Sequence, residues 1–167
     1  SWDEKRSRLA HTFGQLEQAG FTLRSAYSAV RDPVRHRFVY QDEQYTGADL
    51  AGLGVASFSY VQGVHYQNIA TADEYACSVR ADLLPLARAC VVSVEEQARR
   101  ELILQLKLGE VDDAHFFRKF GIHLADRFGD ELGTLVERGF AQWTRNRFTL
   151  TRQGLLRADF LAREFFL

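Results

Sequence analysis

The sequence predicts a mixed chain: the closing part of a parallel α/β sheet or barrel, then a mostly helical, winged-helix-like module. Three observations predict it. A helix with a glycine stop leads straight into a strand-like segment near the start. Residues 47–68 begin as an apolar run holding Gly52 and Gly54 and change into a hydroxylated, aromatic segment. After about residue 93, helical periodicities separated by single glycines are followed by one short alternating stretch.

In chain order, residues 2–19 read as a helix. Leu9, Phe13 and Leu16 recur at helical spacing among charges, and Gly20 stands where a C-cap belongs. Phe21–Tyr27 alternates and reads as a strand. Residues 29–46 read as a loop bent at Pro33, with a basic cluster of Arg31, Arg35, His36 and Arg37 ahead of Phe38, Tyr40 and Tyr45. Asp49–Val55 reads as a second strand, ending in a polar loop over Ser57–Asn68. Functional loops of parallel α/β folds follow their strands. Glycines in such a segment mark a close backbone approach, by a ligand or by another stretch of the same chain.

Thr71-Ala-Asp-Glu has the form of a capping box and opens a helix to about Leu84, ended by Pro85. A second helix over roughly 94–107 turns Leu102, Ile103 and Leu106 inward and stops at Gly109. Asp112 or Asp113 starts a short helix with Phe116, Phe117 and Phe120, stopped by Gly121. Another over 124–138 places Phe128, Leu132, Leu135 and Val136 on one face, with Gly139 after it. Trp143–Leu150 reads as a hairpin around Arg145-Asn146-Arg147, and Thr151 caps a last helix ending Phe165-Phe166-Leu167.

Composition narrows the function. The 167 residues carry a net charge of −1 and are 46% hydrophobic, enough for a core without a general attraction to nucleic acid or anionic membrane. From Glu95 onward, twelve Lys and Arg face twelve Asp and Glu, and duplex-binding modules carry a basic excess. No nucleic-acid partner and no membrane span are expected. Cys77 and Cys90 are too few and too far apart for a metal motif, and with no signal-peptide pattern a cytoplasmic setting is expected. With no initiating methionine, and no methionine anywhere, the chain is expected to start inside a longer gene product. Gly52-Leu-Gly54-Val-Ala-Ser57 lacks the third glycine of a dinucleotide fingerprint, and Gln62-Gly63 breaks the segment before any helix. No Ser-His-Asp set, carboxylate pair or zinc site is present in the pattern; His65 and His115 read as ordinary surface or core histidines.

The segment Gly47–Tyr60 followed by Gly63-Val-His-Tyr-Gln-Asn68 resembles the late-barrel segment of the oxygen-independent coproporphyrinogen III oxidase family. These radical S-adenosylmethionine (SAM) enzymes include haem chaperones and anaerobic haem-degrading methyltransferases among their relatives. Ala19-Gly-Phe, Arg35-His36 and Tyr40 fit the same pattern. Downstream, Glu101–Gly109, Phe120-Gly121, Leu135–Gly139 and Leu150–Gly154 resemble the family's C-terminal domain. The resemblance implies the end of a TIM-like barrel over 1–70, a connecting helix over 71–92 and the C-terminal domain over 93–167. It departs at one point: the family's C-x3-C-x2-C cluster motif is missing. The family's 4Fe-4S cluster would take three thiolates, with SAM chelating the remaining iron, so its ligands are expected in upstream sequence that completes the barrel, and no catalytic residue is expected in this chain.

By the same resemblance, Gly52, Gly54, Val55 and Ala56 would approach SAM. Arg35, His36, Ser57, Ser59, Tyr66 and Asn68 would meet a tetrapyrrole, whose propionates suit arginine. Hydrogen bonding of these polar side chains to the loop's own backbone is the alternative. The intact protein would use SAM-derived radical chemistry, the protein supplying position and exclusion of water and oxygen. Oxidative decarboxylation, haem ring opening with methyl transfer, and haem delivery without turnover stay open, as does a stand-alone winged-helix binding module.

Overall fold

The computed structural model describes residues 1–166. The chain forms two compact units, one made of residues 1–46 and the chain from 98 onward, the other of Gly47–Gln97.

The first unit opens with helix α1, Trp2–Gln18, capped by the Ser1 hydroxyl, which accepts from the Glu4 N–H at 3.2 Å. Gly20 lies at φ +82°, and the N–H groups of Gly20 and Phe21 donate to Glu17 and Leu16 carbonyls, both at 2.9 Å. That double closure needs the left-handed turn glycine supplies. The strand expected over 21–27 is shorter: β1, Thr22–Leu23, pairs antiparallel with β2, Ala29–Val30. Ser25 and Ser28 turn the chain between them, their hydroxyls 2.7 Å apart. The stretch read as loop over 29–46 also holds helix α2, Val39–Tyr45. Its buried Gln41 accepts from the Ser28 hydroxyl at 2.9 Å, a tertiary bond that local sequence does not announce.

The second unit corrects the parallel-sheet expectation most directly. Asp49–Val55 is not a strand; only Leu50 bridges, antiparallel, to Tyr60. Gly54 at φ +92° and Ala56 at φ +58° are incompatible with extended backbone. The polar segment expected as a loop is instead a hairpin, β3 (Phe58–Val61) and β4 (Val64–Asn68). Gln62 and Gly63, at φ +47° and +78°, make its two-residue turn, as two positive φ values in succession require. Helix α3 runs from Ala72 to Arg80, with Thr71 hydrogen-bonded to Glu74 at its start. It ends before the expected Leu84, because Asp82 turns the chain at φ +60°. A further strand, β5 (Leu86–Val91), lies where a helical connector was expected and adds antiparallel to β4. The sheet order is β3-β4-β5, and every strand pair among the described residues is antiparallel.

Helix α4, Val94–Leu108, begins in the second unit and continues into the first. Gly109, at φ +90°, ends it and leads into β6, Glu110–Asp112, a strand absent from the sequence reading. Helix α5, Asp113–Phe120, is capped by the Asp112 carboxylate, which accepts from Ala114 N at 2.9 Å and His115 N at 3.3 Å, and closes at Gly121. Helix α6, Leu124–Glu137, follows, then the expected hairpin, β7 (Ala141–Thr144) and β8 (Arg147–Leu150). The sheet order here is β6-β8-β7. Leu102, Leu106, Val111, Phe116, Phe128, Leu132, Leu135 and Phe148 are fully buried and form the core. Val136, expected on one face with Phe128, Leu132 and Leu135, is exposed, and so is Phe117 of α5. A helix presents one stripe to the core, and neither lies on it.

The single helix expected after Thr151 is broken into α7 (Arg152–Leu155), α8 (Ala158–Leu161) and a 3-10 turn over Ala162–Phe165. Arg157, at φ −124° and ψ 9°, interrupts the helical path. Leu167, its expected last residue, lies outside the described residues.

Candidate functional site

The loop at 51–57 is held from inside by its own polar groups. The Gly52 N–H donates to the Ser59 hydroxyl at 2.9 Å, and the Asn68 amide donates to the carbonyls of Gly52 and Gly54 at 3.1 and 3.0 Å. Ser57 donates to the Leu53 carbonyl at 2.6 Å, and the Gly54 N–H donates to the Tyr75 hydroxyl at 3.2 Å. Ser59 and Asn68 are buried, where an unpaired polar group is costly. Their side chains therefore act as staples that hold an irregular backbone on the β3–β4 hairpin.

The two glycines differ in what they make room for. A Cβ on Gly52 would stand 2.4 Å from the Phe58 carbonyl oxygen, so glycine here admits the chain's own strand β3. A Cβ on Gly54 would find only the Ser57 hydroxyl at 3.9 Å, so one side of the loop is open at that point. Around it the apolar side chains of Leu53 and Val55 point outward, Leu53 at 88% exposure. Ala56 donates its N–H to the Ile69 carbonyl at 2.9 Å. The loop therefore offers an exposed apolar tip with backbone close behind it, while its hydroxyl and amide groups face inward.

Tyr66 sits on β4 between Ser59 of β3 and Ala89 of β5. It lines a hollow of about 300 Å³ on the sheet together with Phe58, His65, Gln67, Arg88 and Cys90. Arg88 donates to the Gln67 side chain at 2.8 Å across this hollow. Arg35 and His36 belong to the other compact unit, on an exposed turn organised by Asp32. The Asp32 carboxylate accepts from Val34 N and Arg35 N, at 3.0 and 3.1 Å, and pairs loosely with the Arg35 guanidinium at 3.6 Å. The structure thus gathers Gly52, Gly54, Val55, Ala56, Ser57, Ser59 and Asn68 into one loop–hairpin assembly, with Tyr66 on the same sheet.

Sequence reasoning missed a charged cluster in the first unit. Glu101 of α4 is buried beside Leu102, and its carboxylate takes the ring of His115, the Lys119 ammonium at 2.5 Å and the Gln105 amide at 3.1 Å. His115 and Lys119 are one turn apart on α5, as Glu101 and Gln105 are on α4. The signal was present: Glu101 shares the inward stripe of Ala98, Leu102, Gln105 and Leu106. The cluster clamps α5 to α4. Cys77 and Cys90 are exposed free thiols on α3 and β5. Two thiols do not fit a cluster that needs three, and among the described residues no group of three or more His, Cys, Asp and Glu is placed to hold a metal. No described helix is long and apolar enough to cross a membrane.

The family model of the HemN C-terminal domain matches residues 92–157. That stretch is similar to the HemN C-terminal domain family. Two relatives extend the likeness over both units. The heme chaperone HemW of Bacillus subtilis (strain 168) is 28% identical over 149 residues, which are 88% of this chain and 36% of that protein. The structure of coproporphyrinogen III oxidase (HemN) from Escherichia coli, described as a radical SAM enzyme, aligns with a TM-score of 0.72 at 21% identity, over 94% of this chain and 39% of that one. The chain therefore spans well under half the length of both relatives. The resemblance read from the sequence, to the C-terminal part of this radical SAM family, is supported by all three comparisons.

Proposed function

We propose that this chain is the C-terminal part of a radical SAM protein of haem metabolism, acting on or carrying a tetrapyrrole. The observation that carries the reading is the extent of the likeness: 88% of the chain aligns with HemW and 94% with HemN, through both compact units. In this reading Gly47–Gln97 extends a barrel whose earlier strands are supplied by the rest of the protein. The second unit supports that with its surface. Every residue of β5 is exposed, β5 pairs only with β4 in its sheet, and Leu53, Phe58, Leu83, Leu84 and Val91 are each more than half exposed. Edge strands with exposed apolar side chains are normally covered.

The outward tip Gly54-Val55-Ala56, with Gly52 fixing its base, is the part of this chain proposed to lie against SAM, whose cluster would be held by cysteines elsewhere in the protein. Tyr66 and the turn carrying Arg35 and His36 are proposed to face the tetrapyrrole, with Ser57, Ser59 and Asn68 shaping the loop from within. The order α4-β6-α5-α6-β7-β8 supports reading this part as a winged-helix-like module, and its balanced charge supports a packing role over duplex binding. A haem-carrying role is the second reading, favoured by the likeness to a named heme chaperone.

The test uses the longer protein that contains this chain, purified without oxygen. Release of 5′-deoxyadenosine that rises on adding a coproporphyrinogen supports the oxidase reading. Stoichiometric haem binding without such turnover supports the carrier. A protein that neither cleaves SAM nor binds a tetrapyrrole overturns both.

A further inference from the structure

The first unit carries a second cavity, far in sequence from the 47–68 loop, whose chemistry is distinct. It has a volume of about 390 Å³ and lies between the start of α1, the end of α6 and α8. Four arginines line it, Arg6, Arg138, Arg157 and Arg163. Trp2, Phe140 and Phe160 supply the rest of the wall, and among the described residues Asp159 is the one lining carboxylate. Four arginines around one hollow are not a consequence of general basicity, because the whole chain has a net charge of −1.

The carboxylate does not cancel the cluster. Asp159 accepts from the Tyr27 hydroxyl at 2.5 Å, pairs with the Lys107 ammonium at 3.2 Å and also feels the charge of Arg163, so one carboxylate, shared with Lys107, faces four arginines. Arg6 pairs with Asp3, and Arg138 with Glu164 at 2.5 Å. Arg157 and Arg163 make no ion pair among the described residues. Arg157 is instead fixed in place by its bond to the Gln153 carbonyl at 3.1 Å. The guanidinium carbons of Arg138 and Arg157 both lie over the Phe140 ring, 4.9 and 5.2 Å from its centre. A guanidinium over a ring is held in place by it, and its N–H groups not already bonded remain to meet an anion.

The mouth of the cavity is aromatic. Trp2 is 68% and Phe160 52% exposed, an unusual placement for two large rings on one rim. A smaller adjoining hollow of about 160 Å³ shares Trp2, Arg6, Arg157, Asp159 and Phe160 and continues the trough along α1 towards Leu9. The result is a slot with flat apolar walls and cationic edges, within the size range of small-molecule sites.

We propose that this slot binds a planar aromatic anion, a ring system carrying two or more carboxylate or phosphate groups. The ring lies against Trp2 and Phe160, and the acidic groups take Arg157 and Arg163, with Arg6 and Arg138 flanking them. Two sources fit that chemistry, a carboxylated porphyrin and a nucleotide. No part of the reading given for the 47–68 loop enters this proposal, so each stands or falls separately.

The chain as it stands is titrated with coproporphyrin III, with adenosine triphosphate and with inorganic pyrophosphate, following Trp2 fluorescence beside a Trp2→Phe control. The expected result is saturable one-to-one quenching by at least one ring anion and none by pyrophosphate. Arg157→Gln combined with Arg163→Gln weakens that binding by about a hundredfold, about tenfold for each lost charge-assisted pair. Arg163→Gln alone is the safeguard on folding, since that side chain is exposed and unpaired among the described residues; about tenfold weakening is expected from it. Porphyrin binding without nucleotide binding names the first source, and the reverse the second. No saturable binding of either at about 0.1 mM, where a specific site with micromolar affinity would be filled, overturns the proposal. So does binding indifferent to Arg163→Gln, or tighter binding of a single-stranded oligonucleotide than of either ring anion.

Discussion

Replacing the two glycines of the loop separates two physical causes. Gly52→Ala places a methyl carbon 2.4 Å from the Phe58 carbonyl oxygen and 2.9 Å from the Ser57 Cβ. Ordinary contact needs about an ångström more, so the loop must lift from β3. Lifting strains two hydrogen bonds, Gly52 N–H to Ser59 and Asn68 to the Gly52 carbonyl. Overpacking costs about 1–3 kcal/mol and each lost bond about 1 kcal/mol, so a loss of about 3 kcal/mol in the stability of the second unit is expected. Gly54 has room for a Cβ but stands at φ +92°. Gly54→Val is expected to cost about 2 kcal/mol through backbone strain alone, and Gly54→Asn less, because asparagine tolerates positive φ. Amide hydrogen exchange over residues 50–68, read beside the thermal midpoint, measures both. Unchanged protection in Gly52→Ala, or equal losses for Gly54→Val and Gly54→Asn, would refute this account of the loop. In the longer protein, loss of SAM cleavage in Gly54→Asn at near-normal stability would place Gly54 at the cofactor.

Further outcomes follow from the first unit. Lys119→Met leaves the buried Glu101 carboxylate short of its ammonium partner and is expected to destabilise the chain by about 3 kcal/mol, more than Glu101→Gln does; denaturant titration of both variants checks the order. Burial, then the Asp159 carboxylate, pushes the Tyr27 hydroxyl up from its ordinary value of 10.0. A group raised on folding contributes stability that is complete below its unfolded value and lost as pH climbs past it. Stability is therefore expected to fall above about pH 10, with the fall reduced in Tyr27→Phe. Burial alone would raise Asp159, but its bonds from Tyr27 and Lys107 outweigh that and hold it low. Its contribution is present at neutral pH and lost as pH falls through its folded value, an acid-side loss that Asp159→Asn abolishes.

Helices α1, α4, α5 and α6 were legible because each carries both a periodicity and a stop. Gly20, Gly109, Gly121 and Gly139 all sit at positive φ after α1, α4, α5 and α6, where only glycine closes a helix cheaply. The hairpin at 141–150 was legible from alternation around Arg145-Asn146. The second unit was not. Leu50–Val55 is as apolar as a buried parallel strand, yet its residues are the outward loop, and the strands are the polar residues that follow. β5 carries no alternating pattern because both its faces are exposed, so nothing in Leu86–Val91 marks it as sheet. The glycines were legible as marks of a close backbone approach, and at Gly52 the approaching group is the chain's own strand. Ser59 and Asn68 read as ligand groups because hydroxyl and amide side chains look the same whether they face a ligand or their own backbone.

The proposal that the second unit completes a barrel beside SAM is tested most directly by amide hydrogen exchange of residues 50–56 and 86–91, in this chain alone and in the longer protein with and without SAM. The expected result is that the amides on the open edge of β5 exchange freely in the chain alone and become protected in the longer protein. Residues 53–56 should gain further protection only when SAM is added. Equal exchange of β5 in both proteins, together with a 53–56 loop indifferent to SAM, would contradict it.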